Sequence, residues 1–130
     1  MAEPAFKASC HCNRIQITVP SLPALLNTCR CTVCYKYGAM WAYLDPAIVT
    51  ISIADDASLV PYMRSDPGSG GDIAFNRCSH CGCMMTWTGA GERKDMKRMG
   101  VNGRMAEPSE VQGVERLEGT GPESVLHLLG

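Results

Sequence analysis

The sequence predicts a mostly β chain built from several small antiparallel sheets and stapled by bound metal. Three observations predict it. Apolar residues come in short alternating runs, as in Ile15, Ile17 and Val19 against Gln16 and Thr18, which is the period of a strand buried on one face. Glycine and proline, 13 and 8 of the 130 residues, interrupt those runs. The eight cysteines fall into groups: Cys10 and Cys12, then Cys29, Cys31 and Cys34, then Cys78, Cys81 and Cys83. With two tryptophans, two phenylalanines and four tyrosines, the core is modest, and a chain of this size gains from an added staple.

Composition narrows the partners. The formal net charge is -1 and the pI is about 6.3, so no basic field draws nucleic acid or an anionic membrane. Arg93, Lys94, Lys97 and Arg98 are interleaved with Glu92 and Asp95, which argues against a nucleic-acid face. The start, Met-Ala-Glu-Pro-Ala-Phe-Lys, lacks a basic segment followed by an apolar run, and no stretch is long and apolar enough to cross a bilayer. The expected location is therefore cytoplasmic. Clustered thiols in a reducing compartment are metal ligands or catalytic groups rather than disulfides.

Taken in order, residues 5–19 read as strand interrupted by Cys10 and Cys12. Two residues apart on extended chain, these thiols point to one side and His11 to the other. Pro20 to Pro23 breaks the strand, and residues 24–28 lead, extended, into Cys-Arg-Cys-Thr-Val-Cys. Cys29 and Cys31 again share a side. Cys34 follows across a turn, and Tyr35, Lys36 and Tyr37 complete a short helical turn ended by Gly38.

Residues 39–44 and 47–53 read as strands separated by Asp45-Pro46, and residues 59–64 as a third, weakened by Pro61. Residues 66–71 form a glycine-rich loop without the Gly-Lys-Ser/Thr ending of a phosphate cradle. Residues 72–76 lead as a strand into Cys78-Ser79-His80-Cys81-Gly82, a knuckle whose tight turn aims two thiolates at a metal. Residues 83–88, 96–102 and 111–117 complete the strands, the last as an edge. One domain is expected over residues 1–130, with its core about 6–117. Residues 119–130 are a tail in which 125–129 can dock on the body or on a second subunit, so an oligomer is left open.

Spacing allows two partitions of the thiols. In the first, Cys10, Cys12, Cys78 and Cys81 make a closed four-thiolate site, while Cys29, Cys31 and Cys34 keep a coordination position open. In the second, the knuckle joins the central cluster and Cys10 and Cys12 stay free. Cys83 is read as a small buried apolar residue, with a fourth ligand for the central cluster as the alternative. His11, His80 and His127 are read as incidental, and both tryptophans as core.

The order of motifs is itself a signature. Cys-His-Cys near the start, Cys-Arg-Cys-Thr-Val-Cys-Tyr-Lys-Tyr-Gly after it, and Cys-Ser-His-Cys-Gly beyond the middle resemble the glutathione-dependent formaldehyde-activating enzyme family, which also includes centromere protein V-like proteins. The resemblance spans about Phe6 to Leu117, and Val101-Asn102-Gly103 resembles the family's late strand. It implies an Mss4-like β fold, a structural zinc on Cys10, Cys12, Cys78 and Cys81, and a second zinc on Cys29, Cys31 and Cys34 as the catalytic set. It also implies glutathione as co-substrate, with Lys36 following the cluster as in the family. The chain departs from the pattern at Arg77, where the family has an aromatic residue before the knuckle, and at Cys83.

The chemistry of such a cluster is legible without the resemblance. Zinc on three thiolates carries a net charge of about −1, which makes it a poor generator of hydroxide but a good partner for a fourth sulfur. A thiol of pKa about 8.5 held there is kept deprotonated near neutral pH. Such a thiolate adds to an aldehyde carbonyl, or leaves in the reverse step. The expected function is a zinc-dependent carbon–sulfur lyase or synthase acting on a thiol–aldehyde adduct of the S-hydroxymethylglutathione type. Lys36, Arg30, Arg64 and Arg77 are candidates for glutathione's carboxylates. The alternative is a zinc-stabilised binding module without catalysis.

Overall fold

The structure is a computed structural model that describes residues 5–64 and 72–122. The loop expected at 66–71, the docking segment 125–129 and His127 lie outside the described residues. Two sheets form. In the smaller, β1 (Phe6–Ser9) and β2 (Ile15–Val19) make a hairpin, and β5 (Thr50–Ile53) pairs with the far edge of β2. The alternation read from the sequence holds, since Phe6, Ala8, Ile15, Ile17 and Val19 are all buried while Lys7 and Gln16 face water.

The hairpin corrects one local expectation. Cys10 and Cys12 lie in its turn rather than on extended chain: Cys10 N–H donates to Ile15 O at 3.1 Å, Asn13 N–H donates to Cys10 O at 3.0 Å, and Asn13 takes φ 66°. Asparagine tolerates that left-handed conformation, so the chain reverses there with its two thiols on the bend.

The larger sheet has seven strands in the order β10-β3-β4-β9-β8-β7-β6. These are β3 (Leu25–Asn27), β4 (Trp41–Leu44), β6 (Leu59–Met63), β7 (Ile73–Cys78), β8 (Met84–Gly89), β9 (Met99–Asn102) and β10 (Glu115–Leu117). The mostly β class thus holds, although the strands gather into two sheets and β10 pairs with β3 in parallel. Pro61 is accommodated because β6 is an edge strand. The strand expected from residue 47 begins only at Thr50, because the Asp45 carboxylate accepts from Ala47 N–H at 2.9 Å and caps a 3-10 turn at Pro46–Ile48. No helix among the described residues is long and apolar enough to cross a membrane.

Two apolar clusters fill the interior, and each includes thiols of one metal-binding group. Phe6, Ile15, Ile17, Leu26, Met85 and Val101 pack with Cys10 and Cys78. Trp41, Phe75, Met84 and Trp87 pack with Cys29 and Cys34. Asn102, 2% exposed, stitches the strands between them: its side chain donates to Met84 O at 2.9 Å and accepts from Met40 N–H and Arg104 N–H, both at 3.1 Å. Gly100 makes room for Trp87, since a Cβ there would lie 2.0 Å from the indole Nε1. Gly100→Ala is expected to lower stability by about 1–3 kcal/mol, as overpacking does, read as a lower urea midpoint with unchanged slope.

Candidate metal centres

The first centre joins the hairpin turn to the knuckle between β7 and β8. The knuckle closes on itself through Cys78 N–H to Cys83 O at 2.9 Å and Gly82 N–H to Cys78 O at 3.0 Å, with Gly82 at φ 81°. It is tied to the start of β6 by reciprocal bonds between Ser58 and Ser79, both 2.9 Å. The sulfurs of Cys10, Cys12, Cys78 and Cys81 all lie within 4.8 Å of one another, with Cys10–Cys12 at 3.5 Å and Cys12–Cys78 at 3.6 Å. Zinc–sulfur bonds of about 2.3 Å in a tetrahedron put the sulfurs about 3.8 Å apart, so the set fits one such ion.

Backbone amides already point at these sulfurs. Ile15 N–H reaches Cys10 Sγ at 3.3 Å, and His80 and Cys81 N–H reach Cys78 Sγ at 3.4 and 3.5 Å. Without a cation the four cannot ionise together. Burial pushes the Cys10 thiol up to about 11, whereas at Cys81 the amides of Cys83 and Cys12 outweigh burial and bring it down to about 5. A divalent ion removes that conflict by pairing with all four charges.

The second centre is built on the end of β3 and on α1 (Thr32–Tyr37). Cys31 is the helix N-cap, its sulfur accepting from Cys34 N–H at 3.4 Å, and Gly38 ends the helix at φ 64° as the sequence predicts. Cys29 is fixed from the other side by the end of β10 and the irregular segment after it. Thr28 N–H donates to Leu117 O at 2.9 Å, Arg30 N–H to Gly119 O at 3.0 Å, and Gly121 N–H to Cys29 Sγ at 3.1 Å. Buried Asn27 holds that segment in place, accepting from Gly119 N–H at 2.7 Å and donating to the Tyr43 hydroxyl at 2.8 Å.

The sulfurs of Cys29, Cys31 and Cys34 also lie within 4.8 Å of one another, and among the described residues no histidine, carboxylate or further cysteine joins them. A hydrogen bond from the Cys34 thiol, helped by the Cys31 and Gly121 amides, brings Cys29 down to about 5 against the effect of burial. Cys34 is pushed far above the usual thiol range by the same bond and by burial. The Trp41 indole N–H faces the Cys34 sulfur closely enough to favour its thiolate, yet Nε1 is buried without a hydrogen-bond partner. The contact falls short of a hydrogen bond, which leaves a donor in search of an acceptor.

Two cavities open on this centre and share Cys29 and Cys34 as wall. One, about 260 Å³, is polar, with Arg30, Arg104 and Glu118 in its lining. The other, about 400 Å³, is walled by Trp41, Tyr43, Phe75 and Trp87 with Arg64, Arg93 and Arg98. Of the cations singled out in the sequence, Arg30 and Arg64 each line a cavity, whereas Lys36, exposed on α1, and Arg77, exposed on β7, line neither. Sequence reasoning assigns the tryptophans to the core and weighs Arg93 and Arg98 only against a nucleic-acid face. The connection from β8 to β9 carries both arginines to the cavity, and no local pattern announces it.

Cys83 stands at the first centre rather than the second. It lines a separate cavity with Cys10 and His11, and its thiol is raised by burial. Gly82 turns the chain at φ 81° and β8 begins only at Met84, so Cys83 lies just ahead of the strand expected over residues 83–88. Neither it, His11 nor His80 belongs to either thiol group. Cys83→Ala is expected to keep the parent's metal content by elemental analysis, with a loss of about 1 kcal/mol or less from packing.

The sequence matches the profile of the glutathione-dependent formaldehyde-activating enzyme family over residues 5–116. The chain belongs to this family. Its two thiol groups and its mostly β, Mss4-like architecture are those expected of a family member. Among solved structures, a Rhodobacter sphaeroides protein determined as a structural genomics target is similar to it, with a TM-score of 0.63 at 21% identity over 85% of this chain and 98% of that one. That likeness speaks for the fold. No curated protein sequence matches.

Proposed function

We propose that the protein is a zinc-dependent carbon–sulfur lyase or synthase acting on a thiol–aldehyde adduct of the glutathione–formaldehyde type. The observation that supports it is the contrast between the two centres. Cys10, Cys12, Cys78 and Cys81 form a complete tetrahedral set, whereas Cys29, Cys31 and Cys34 have no fourth ligand among the described residues and open on two cavities. In this reading the first set holds a structural zinc and the second a zinc whose open position takes the substrate sulfur.

Zinc bound at the second set supplies a soft Lewis acid that favours a thiolate over a thiol near neutral pH. The protein's own part is to hold and orient. In the lyase direction the carbon–sulfur bond breaks with its electron pair left on sulfur, the hydroxyl oxygen becomes the carbonyl oxygen, and the hydroxyl proton ends on the thiol. Nothing is oxidised or reduced, and the synthase direction is the reverse. Arg30, one of the four candidates from the sequence, lines the smaller cavity with Arg104, which supports a role for this pair in holding glutathione's carboxylates. A free thiol co-substrate fits a reducing, cytoplasmic setting.

Two measurements test this. Metal content should be two zinc ions per chain. Nuclear magnetic resonance exchange spectroscopy on glutathione and formaldehyde should show adduct interconversion accelerated by the protein. One tightly held metal with no acceleration would replace the enzyme with a zinc-stabilised binding module.

A further inference from the structure

We infer that the aromatic cavity beside the three-thiol centre receives the aldehyde-derived half of the adduct, and that this half is an aryl or comparably broad apolar group. The inference rests on the thiol–adduct reading and narrows its substrate class. Size is the first reason. A one-carbon unit needs roughly the space of one water, ~30 Å³, and the cavity holds about 400 Å³.

The wall is the second reason. Trp41, Phe75 and Trp87 are each at most 5% exposed, and the rings are tilted against one another, Trp41 to Phe75 at 6.2 Å and 46° and Tyr43 to Trp87 at 6.1 Å and 54°. These rings form one side of the cavity, against which a further ring can pack edge to face, while Arg64, Arg93 and Arg98 line the rest. The glutathione half is then assigned to the smaller cavity, which shares Cys29 and Cys34 with this one and is lined by Arg30 and Arg104.

The third reason is the buried Trp41 N–H. The Trp41 ring lines the aromatic cavity, and its Nε1 is buried without a hydrogen-bond partner. In a thiol–aldehyde adduct the hydroxyl oxygen is two bonds from the sulfur, so an adduct sulfur seated at the cluster brings that oxygen to this donor. A buried donor left unpaired is unfavourable, and an adduct oxygen that accepts from it removes that penalty.

Non-reacting thioethers test the inference by binding alone. Zinc-loaded full-length protein is titrated with S-methylglutathione and with S-benzylglutathione by calorimetry. The benzyl compound is expected to bind about tenfold tighter or more, the effect of burying one ring. Ile73→Trp, which narrows the cavity at its β7 wall, should bring the two affinities to within about twofold. Equal affinities in the parent protein overturn the inference while leaving the thiol reading standing. Failure of both thioethers to bind removes the two together.

Discussion

Cys12→Ser and Cys81→Ser are each expected to yield no soluble, cooperatively melting protein. Either substitution leaves a four-sulfur set with three members, and the set joins a hairpin turn near the start of the chain to a knuckle beyond its middle. Binding of zinc at a site of this kind contributes on the order of 10 kcal/mol, against a total stability of about 5–15 kcal/mol for a small domain. The three remaining sulfurs would also be left crowded at the edge of the apolar cluster that contains Cys10 and Cys78. The check is circular dichroism during thermal unfolding, with elemental zinc measured on whatever protein is recovered. A sharp melt near that of the parent would show that this centre does not hold the fold together.

Cys31→Ser, by contrast, is expected to melt within about 1 kcal/mol of the parent and to lose one zinc per chain together with the proposed activity. The reason lies in the helix. Cys31 is the N-cap of α1, accepting from Cys34 N–H through its sulfur, and serine is among the best residues for that position, so the cap survives while the soft ligand is lost. Cys29 keeps its amide from Gly121, and β3 keeps its pairing with β10. Activity should fall more than about 100-fold, beyond the 10–100-fold typical of losing a supporting contact to a metal ligand. Unfolding of Cys31→Ser, with a stable Cys12→Ser, would exchange the roles of the two centres.

The two outcomes separate because the centres sit differently in the fold. The four-thiol set joins chain segments that no hydrogen-bonded strand pair connects directly, since β1 and β7 belong to different sheets. The three-thiol set is gathered largely by one short stretch, Cys29 to Cys34, and its surroundings are already held by Asn27, by the Gly38 cap and by the segment after β10. On the proposed reading, metal would be needed for folding at the first centre and would serve chemistry at the second.

By itself the sequence determined whatever depends on neighbours along the chain. The alternation of Ile15, Ile17 and Val19 marks a strand face, Gly38 marks the end of a helical turn, and Cys78-x-x-Cys81 marks a knuckle, because each is a short-range pattern set by backbone geometry. Even there the turn at Cys10 to Asn13 was read as strand, since a left-handed asparagine leaves no trace in the apolar period. Only the tertiary structure decided which thiols share a cluster, that Cys83 stands at the first centre, and that β10 pairs in parallel with β3. It also decided that Trp41, Phe75 and Trp87, buried in the core as the sequence suggests, border a cavity to which Arg93 and Arg98 are brought. Those facts follow from the order and register of strands far apart in the chain, and residue spacing carries no information about which distant strands become neighbours.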